Sequence, residues 1–433
     1  MIPVRVAGAL FAAAVGAQSH AQAPALAPFV PVDTAPTLAV AMVWQHGLDD
    51  DGATQPGLCR VLLQCRLRRV RAAVPELLAS GGDVDASTSL LWAVCDRSAA
   101  EAALRFLQVA ADDSAAIAAD EFAMARARAS LVADDEAFVL PGPMLQASAG
   151  REWFPGAPLA TRGDGREPAA ILGYSLADVQ AALLRERPRR VGALGACAAT
   201  FVRAATAFER GDLPGPWPSA RVSAGPPVAT AEPPREHARL DGPVVAWLRP
   251  VDGVERAPLA VAVQIARARA DRRWKPRAAE GAARLPFVGW DWLRDEPFVA
   301  VHRRGFDQRR LLPGERAADV AAEVAATRAE IEALLADLRQ APVRADELAA
   351  AVAALARTFG HEGAAVAAGE PRAAAVWLAA RMRAVVRGIE PAGIQAVTAA
   401  AAEATLRTAV ASGAGSWHVL IPRSREGYGF DRR

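Results

Sequence analysis

The sequence predicts an α+β protein with two structurally similar domains, each a mainly antiparallel sheet packed with several helices. Three observations support this prediction. Strand-like runs and long helical stretches follow one another in the same order in both halves of the chain. A proline- and glycine-rich segment, Gly211 to Arg235, separates those halves. The chain has 433 residues, 52% of them hydrophobic, which is enough for two domains with sizeable cores.

The first half opens with the apolar run Leu38 to Trp44, which predicts a buried strand. Apolar residues at helical spacing predict a helix within Pro56 to Leu78. Gly81-Gly82 predicts a turn, and a strand follows at Ser87 to Val94. The other predicted elements of this half are helices at Ala99 to Ala110, Ala118 to Val132, Ser175 to Arg185 and Ala198 to Glu209, and a strand at Val191 to Leu194.

The second half repeats this order of elements. Val244 to Leu248 predicts a strand, Ala257 to Ala270 predicts a helix, and Phe287 to His302 is rich in strand-forming residues. The half ends with predicted helices at Ala317 to Leu338, Ala345 to Phe359, Ala373 to Val386 and Ile394 to Val410, and a strand at His418 to Ile421. The halves share no visible sequence identity, so the repeat lies in the order of elements.

These patterns divide the chain into four segments. Residues 1–23 predict a signal peptide, because Arg5 precedes an apolar run, Val6 to Ala17, that is shorter than the ~20 residues needed to span a bilayer. The mature protein is therefore predicted to be periplasmic or secreted, with no membrane span. The remaining segments are an N-terminal domain at 24–212, a linker at 213–238 and a C-terminal domain at 239–433.

Charge and cysteine content narrow the range of partners and folds. The 50 basic and 48 acidic residues nearly balance, so nothing in the composition indicates nucleic acid or an anionic membrane as a partner. The four cysteines, Cys59, Cys65, Cys95 and Cys197, lack C-x-x-C spacing and are too few for a disulfide scaffold. They are interpreted as buried free thiols, and Cys65 with Cys95 is the first pair to test for a bridge.

Several motifs occur in a characteristic order. Gly57-Leu58 precedes the first long helix, and Gly81-Gly82-Asp83-Val84-Asp85-Ala86-Ser87-Thr88 follows it. In the second half, Pro342-Val343 precedes Glu347-Leu348 at the start of a helix. This order resembles the insulinase or pitrilysin-like zinc peptidases, which include the mitochondrial processing peptidase. The resemblance covers most of the mature chain and implies the two-domain fold of that family.

The resemblance places the family's H-x-x-E-H zinc motif on Arg60, Leu63 and Gln64. In the family, the two histidines bind zinc from one helical face, and the glutamate activates the metal-bound water. Arginine stays protonated and offers no lone pair, and leucine cannot accept a proton. The third ligand position falls on Asp134, although the neighbouring Asp135 and Glu136 leave the register open. The motif is therefore predicted to be vestigial, with no metal, no cofactor and no catalytic residue.

A relocated metal site is the least favoured alternative. The mature chain has histidines at His46, His237, His302, His361 and His418, and no two of them have helical ligand spacing. Each is interpreted as a surface histidine or a core histidine with hydrogen-bond partners.

Family members often act in pairs, in which a zinc-free chain completes a chamber around the peptide. The resemblance therefore implies a pseudopeptidase, an inactive homologue of a zinc metalloendopeptidase, that forms a heterodimer with a zinc-bearing peptidase subunit of the same family. A homodimer stays open. The alternative function is that of a structural, scaffold or binding protein of the same fold with no peptidase partner.

Two residues are predicted to bind substrate peptide through this resemblance. Arg277 matches the arginine of the family's Leu-Arg-x-x-x-Gly-x-x-Tyr segment, although Arg284 replaces the tyrosine. A solvated arginine in a basic stretch is the alternative for Arg277. Asp85 stands where the family has an asparagine that holds an extended substrate, and it keeps the acceptor but not the amide donors.

Overall fold

The computed structural model of the protein describes residues 28–48, 50–51, 55–85, 87–139, 166–185, 187–211, 235–237, 243–251, 253–279, 287–293, 296–304, 313–389, 391–412 and 415–422. The predicted signal peptide, 1–23, lies outside this range. Within it, no helix combines the length and the apolar character needed to cross a bilayer.

The N-terminal half contains each strand and helix that its sequence predicts, with ends shifted by a few residues. Three further elements are not predicted by the sequence: β1, which is too short for a periodic pattern, β3, where a turn was expected, and α4. The strands are β1 (Phe29–Pro31), β2 (Thr37–Trp44), β3 (Ala79–Val84), β4 (Ser89–Asp96) and β5 (Arg189–Gly195). The helices are α1 (Leu58–Ala73), α2 (Ala100–Ala111), α3 (Ala119–Val139), α4 (Arg166–Gly173), α5 (Leu176–Leu183) and α6 (Ala199–Thr206).

The C-terminal half also follows its predicted elements, and it adds the short β6 and α10. Its last predicted helix is divided into α12 and α13. The strands are β6 (Arg235–His237), β7 (Val244–Pro250), β8 (Phe287–Leu293), β9 (Glu296–Arg304) and β10 (Ser416–Pro422). The helices are α7 (Arg256–Ala279), α8 (Pro313–Gln340), α9 (Ala345–Phe359), α10 (His361–Ala367), α11 (Pro371–Val386), α12 (Pro391–Gln395) and α13 (Ala399–Ala409).

The two sheets have the same strand order. The first is β1-β5-β2-β4-β3 and the second is β6-β10-β7-β9-β8. In each sheet the short first strand pairs in parallel, and the other pairings are antiparallel. This confirms the predicted fold class of two similar, mainly antiparallel units packed with helices. β6 lies within 213–238, the segment assigned to the linker, and the domain boundaries themselves stay a prediction.

The first sheet is covered on both faces. Side chains alternate along β2, so Leu38 and Val40 face a core that includes residues of α1 and α2. Ala39 and Ala41 face the other side, where Met382 of α11 packs against them. A helix of the C-terminal half therefore covers one face of the N-terminal sheet. This explains why all eight residues of β2 are buried.

The turn predicted at Gly81-Gly82 is wrong, because both glycines lie inside β3. Glycine is required there by close neighbours. A Cβ on Gly81 would overlap the Trp92 ring, and a Cβ on Gly82 would lie 2.8 Å from the Leu90 carbonyl oxygen. A pair of glycines favours a turn in isolation, but here it lets a strand approach its neighbours.

All four cysteines are free, three of them buried and Cys197 half-buried. Cys65 and Cys95 belong to different apolar clusters, so the pair singled out from the sequence is not joined. Burial raises the pKa of the Cys65 thiol to about 12 and that of Cys95 to about 11. Both thiols therefore stay protonated at neutral pH and are poor nucleophiles.

Candidate functional site

A cleft of about 460 Å³ contains the three positions that the sequence assigns to the vestigial motif. α1 lies between its two sides, which are formed by the edge strand β3 and by α3. Arg60, Leu63 and Gln64 all line this cleft. The structure therefore brings these side chains together on one helical face, as their spacing of three and four residues predicts.

The start of α1 requires a glycine. Gly57 precedes the helix with a φ of 78°, in the left-handed region that favours glycine. A Cβ at this position would lie 2.7 Å from Ile171 Cδ1 and 3.1 Å from Glu167 Cγ. Backbone conformation and the close approach of α4 therefore both explain why glycine precedes Leu58.

We expect Gly57→Ala to lower the free energy of unfolding by about 2–3 kcal/mol, since it adds backbone strain to an overlap with α4. Urea denaturation measures this loss. Gly253→Ala is the matched control, because Gly253 also has a positive φ, 66°, but nothing within 4 Å of its added Cβ. Equal losses for the two variants would show that α4 moves aside without cost.

Arg60, which lines the cleft, is paired with a buried acidic residue that lies far along the chain. Its Nε donates to Glu167 Oε1 at 2.7 Å across a sequence separation of 107 residues. Arg60 is 3% exposed and Glu167 is 7% exposed. A guanidinium paired with a carboxylate therefore stands at the position that the resemblance assigns to the family's first histidine. The guanidinium offers zinc no lone pair, and its charge repels a dication.

The other motif positions do not complete a zinc site. Leu63 is buried in the apolar core and packs against Gly82 of β3. Gln64 is half-buried and carries a neutral amide. Asp134 lies on α3, and its side chain lies outside the described residues. A leucine and a neutral amide beside a paired arginine do not fit the ligand set of a zinc site. The described residues also contain no group of three or more His, Cys, Asp or Glu side chains that could hold a metal ion.

The carboxylate of Asp85 contacts both halves of the protein. Its Oδ1 accepts from the backbone N–H of Thr88 at 2.7 Å and from that of Ser87 at 3.0 Å. Its Oδ2 lies 3.2 Å from Arg383 Nε on α11 and 2.6 Å from Nη2 of Arg387, which directly follows that helix. Burial opposes ionisation, but the two arginines and the Thr88 donors hold the pKa of Asp85 below its usual value.

These contacts give Asp85 a structural part in fixing the end of β3 against α11. Its predicted contact with substrate stays a prediction. Arg277 lies near the end of α7, with its side chain outside the described residues, so its substrate contact also stays a prediction.

A buried polar cluster lies beside the start of α1. Asp51 accepts from the Cys59 backbone N–H at 3.0 Å, and its Oδ1 is 3.5 Å from His46 Nε2. Arg187 Nη1 donates to His46 Nδ1 at 2.7 Å, which leaves the ring proton on Nε2. Burial raises the pKa of Asp51 to about 8. Burial and the charge of Arg187 lower the pKa of His46, so both side chains are neutral at pH 7.

We expect Asp51→Asn to become progressively more stable than the parent protein as the pH rises. The unfolded carboxyl, with a pKa of 3.8, is ionised in this range while the folded one remains protonated. Each pH unit then lowers the parent's free energy of unfolding by about 1.4 kcal/mol, which amounts to about 2 kcal/mol between about pH 5.5 and pH 7. Urea denaturation of both proteins across this range measures the difference, and the titration of His46, common to both, cancels. A constant difference would contradict the raised pKa.

The fold can be compared with known proteins. A scan against models of protein families gave no match, and a search of curated proteins gave none either. Solved structures do match. A protease from Helicobacter pylori superposes with a TM-score of 0.62 at 13% identity, over 91% of this chain and 96% of that one. A peptidase M16 inactive domain from Pseudomonas fluorescens gives a TM-score of 0.58 at 14% identity, over 92% and 95%.

The chain has the insulinase/pitrilysin-like fold. The periplasmic protease PqqL from Escherichia coli is similar as well, with a TM-score of 0.55 at 13% identity. That match covers 90% of this chain and 43% of the PqqL chain. The fold implied by the order of motifs is therefore confirmed.

The cleft of this insulinase-like fold also contains three arginines that no sequence motif had indicated. Arg68 and Arg71 line it from α1, and Arg128 lines it from α3. Arg68 and Arg71 follow Gln64 at spacings of four and seven, so helical periodicity alone could have placed them on the motif face. Glu167 gives no such signal, because its partner lies on a distant helix.

Proposed function

We propose that this chain is a non-catalytic, pseudopeptidase subunit that pairs with a zinc-bearing homologue to form a peptide-degrading chamber. The Arg60–Glu167 ion pair is the observation that carries this proposal. It occupies the cleft in which an insulinase-type peptidase would need a metal ligand. Leu63, at the position of the general base, can neither accept nor relay a proton.

The comparisons support a partner in two ways. One matching structure, the Pseudomonas fluorescens domain, is named an inactive peptidase domain. The PqqL protease contains, in one chain, more than twice the length that this chain covers. A chamber built from two units of this size is therefore consistent with the coverage. The predicted signal peptide favours a periplasmic or secreted location for the pair.

The test is to look among the neighbouring genes for a homologue with an intact H-x-x-E-H motif, and to purify this chain alone and together with it. We expect no stoichiometric zinc and no chelator-sensitive peptide cleavage from the single chain. The two chains should copurify, and the pair should cleave peptides. Replacing the homologue's motif glutamate by glutamine should abolish that cleavage, which assigns the chemistry to the partner.

Two outcomes would redirect the proposal. Stoichiometric zinc in the single chain, with peptide cleavage that a chelator abolishes, would overturn the loss of activity. A stable complex that cleaves nothing would instead favour the scaffold or binding protein of the same fold.

A further inference from the structure

A second pocket, of about 440 Å³, lies in the C-terminal half, where the C-terminal part of α7 meets the connection between α8 and α9. It shares no residue with the cleft beside α1. Its charged lining consists of four arginines and two acidic residues: Arg269, Arg272, Arg273, Arg344, Asp337 and Glu347. Four guanidinium groups against two carboxylates leave an excess of positive charge, which favours an anionic ligand.

The buried part of this pocket is an ion pair that gathers arginines from two helices. The side chain of Glu347 is only 4% exposed, and its two oxygens accept from Arg269 at 3.2 and 2.9 Å. Glu347 Oε1 also accepts from Arg272 Nη2 and lies 3.8 Å from Arg344 Nη2. Three guanidinium groups thus share one carboxylate, which holds like charges close together. An anion on the exposed side of Arg272 and Arg344 would reduce their repulsion.

Other acidic residues balance only part of this charge. Arg344 also donates to Asp346, at 3.0 and 3.1 Å, but both side chains are more than half exposed and such pairs are weak. Arg272 is 52% exposed, and its remaining N–H groups have no acceptor among the described residues. Arg273 is exposed, and no residue that the structure describes pairs with it. Two adjacent guanidinium groups are therefore available to a ligand.

Asp337 opposes an anion in this pocket. Its side chain is exposed, and within the described part of the chain no arginine is paired with it. Its carboxylate would therefore repel a bound anion. Removing this charge and removing the arginine charges should change the affinity for an anion in opposite directions.

The placement of the arginines favours a tetrahedral oxyanion over a planar carboxylate. Adjacent residues of a helix project about 100° apart, so Arg272 and Arg273 reach the pocket from different directions. Arg344, which directly precedes α9, approaches from another element. A phosphate group has acceptor oxygens in several directions, whereas the acceptor oxygens of a carboxylate lie in one plane.

We propose that this pocket binds a phosphate group, as inorganic phosphate or as a small phosphomonoester. Arg272 and Arg273 donate to the phosphate oxygens, and Arg344 contributes a third positive charge. Arg269 and Glu347 hold these arginines in position from the buried side. This site goes beyond the pairing proposed above, because it belongs to the single chain and requires neither a metal nor a partner subunit.

Isothermal titration calorimetry of the purified chain, at constant ionic strength, tests this assignment. The probes are inorganic phosphate, glycerol 3-phosphate and acetate. We expect saturable binding of phosphate and weaker binding of acetate, and the ratio of the two phosphate affinities distinguishes the free ion from the ester. The double variant Arg272→Gln/Arg273→Gln should weaken phosphate binding about tenfold or more. Asp337→Asn should strengthen it about twofold to fivefold.

Arg267→Gln is the matched control, because Arg267 is exposed on α7 outside the pocket. It should leave the affinity unchanged. If the double variant does not fold, Arg273→Gln alone makes the same test at a side chain that no described residue pairs with. An absence of saturable phosphate binding, acetate binding as tight as that of phosphate, or an equal loss in Arg267→Gln would each overturn the proposal. Copurification with a zinc-bearing homologue is a separate readout, so the two proposals can fail independently.

Discussion

Replacing Arg269 by methionine is expected to lower the free energy of unfolding by about 3–5 kcal/mol, because it leaves a buried carboxylate without its main partner. Arg269 lies on α7 and binds Glu347 of α9 through two hydrogen bonds, Nε to Oε1 at 3.2 Å and Nη2 to Oε2 at 2.9 Å. It also donates to the carbonyl oxygens of Ala341 and Pro342, at 3.2 and 2.7 Å. Urea denaturation at pH 7 measures the loss.

The control is Arg272→Met. Arg272 also contacts Glu347, but its side chain is 52% exposed, so water can replace it and the cost should stay below about 1 kcal/mol. Similar losses in the two variants would contradict the importance of burial. Arg272 and Arg269 lie three residues apart on one helix, which makes the comparison close.

The pH dependence gives a second readout for the same pair. Burial opposes the ionisation of Glu347, but hydrogen bonds from Arg269 and Arg272 outweigh it and lower its pKa from 4.5 to about 2. A carboxyl with a lowered folded pKa contributes stability that is present above pH 4.5 and is lost as the pH falls towards 2. The Arg269→Met variant should lose less stability than the parent over this range. A parallel loss in both proteins would contradict the assignment to this pair.

Local sequence patterns predicted most of the fold, because strands and helices are largely determined by residues that lie close together in the chain. Apolar runs predicted the buried strands β2 and β7, and helical spacing predicted α1 and α9 with small errors at the ends. The motif face of α1 was also predictable, since residues three and four apart must lie together on a helix. The resemblance of Pro342-Val343 and Glu347-Leu348 to the family's motif at the start of a helix was visible from the sequence too.

The partners of these residues could not be predicted, because they come from distant parts of the chain. Arg269 lies 78 residues from Glu347, Glu167 lies 107 from Arg60, and Arg387 lies 302 from Asp85. The Gly81-Gly82 error has the same origin. The need for glycine arises from neighbours across the sheet and on α1, which no local pattern reveals.

The Arg60–Glu167 pair yields the prediction closest to function. We expect Glu167→Met and Arg60→Met each to lower the free energy of unfolding by about 2–4 kcal/mol, because each removes an opposite charge that a buried charged group contacts at 2.7 Å. The double variant Arg60→Met/Glu167→Met should be closer to the parent than either single variant, since methionine can fill both positions without a charge. Urea denaturation of all four proteins completes a double-mutant cycle.

The size of the coupling energy between Arg60 and Glu167 decides what the pair contributes to the fold. A strongly favourable coupling means that Arg60 and Glu167 join α1 to α4 directly, at the position that the resemblance predicts to be a vestigial metal site. Additive losses would contradict this and would leave Arg60 as a buried residue that fills space beside the start of α1. In either case Arg60→His alone should not create a zinc site, because Leu63 and Gln64 still offer neither a general base nor a second imidazole.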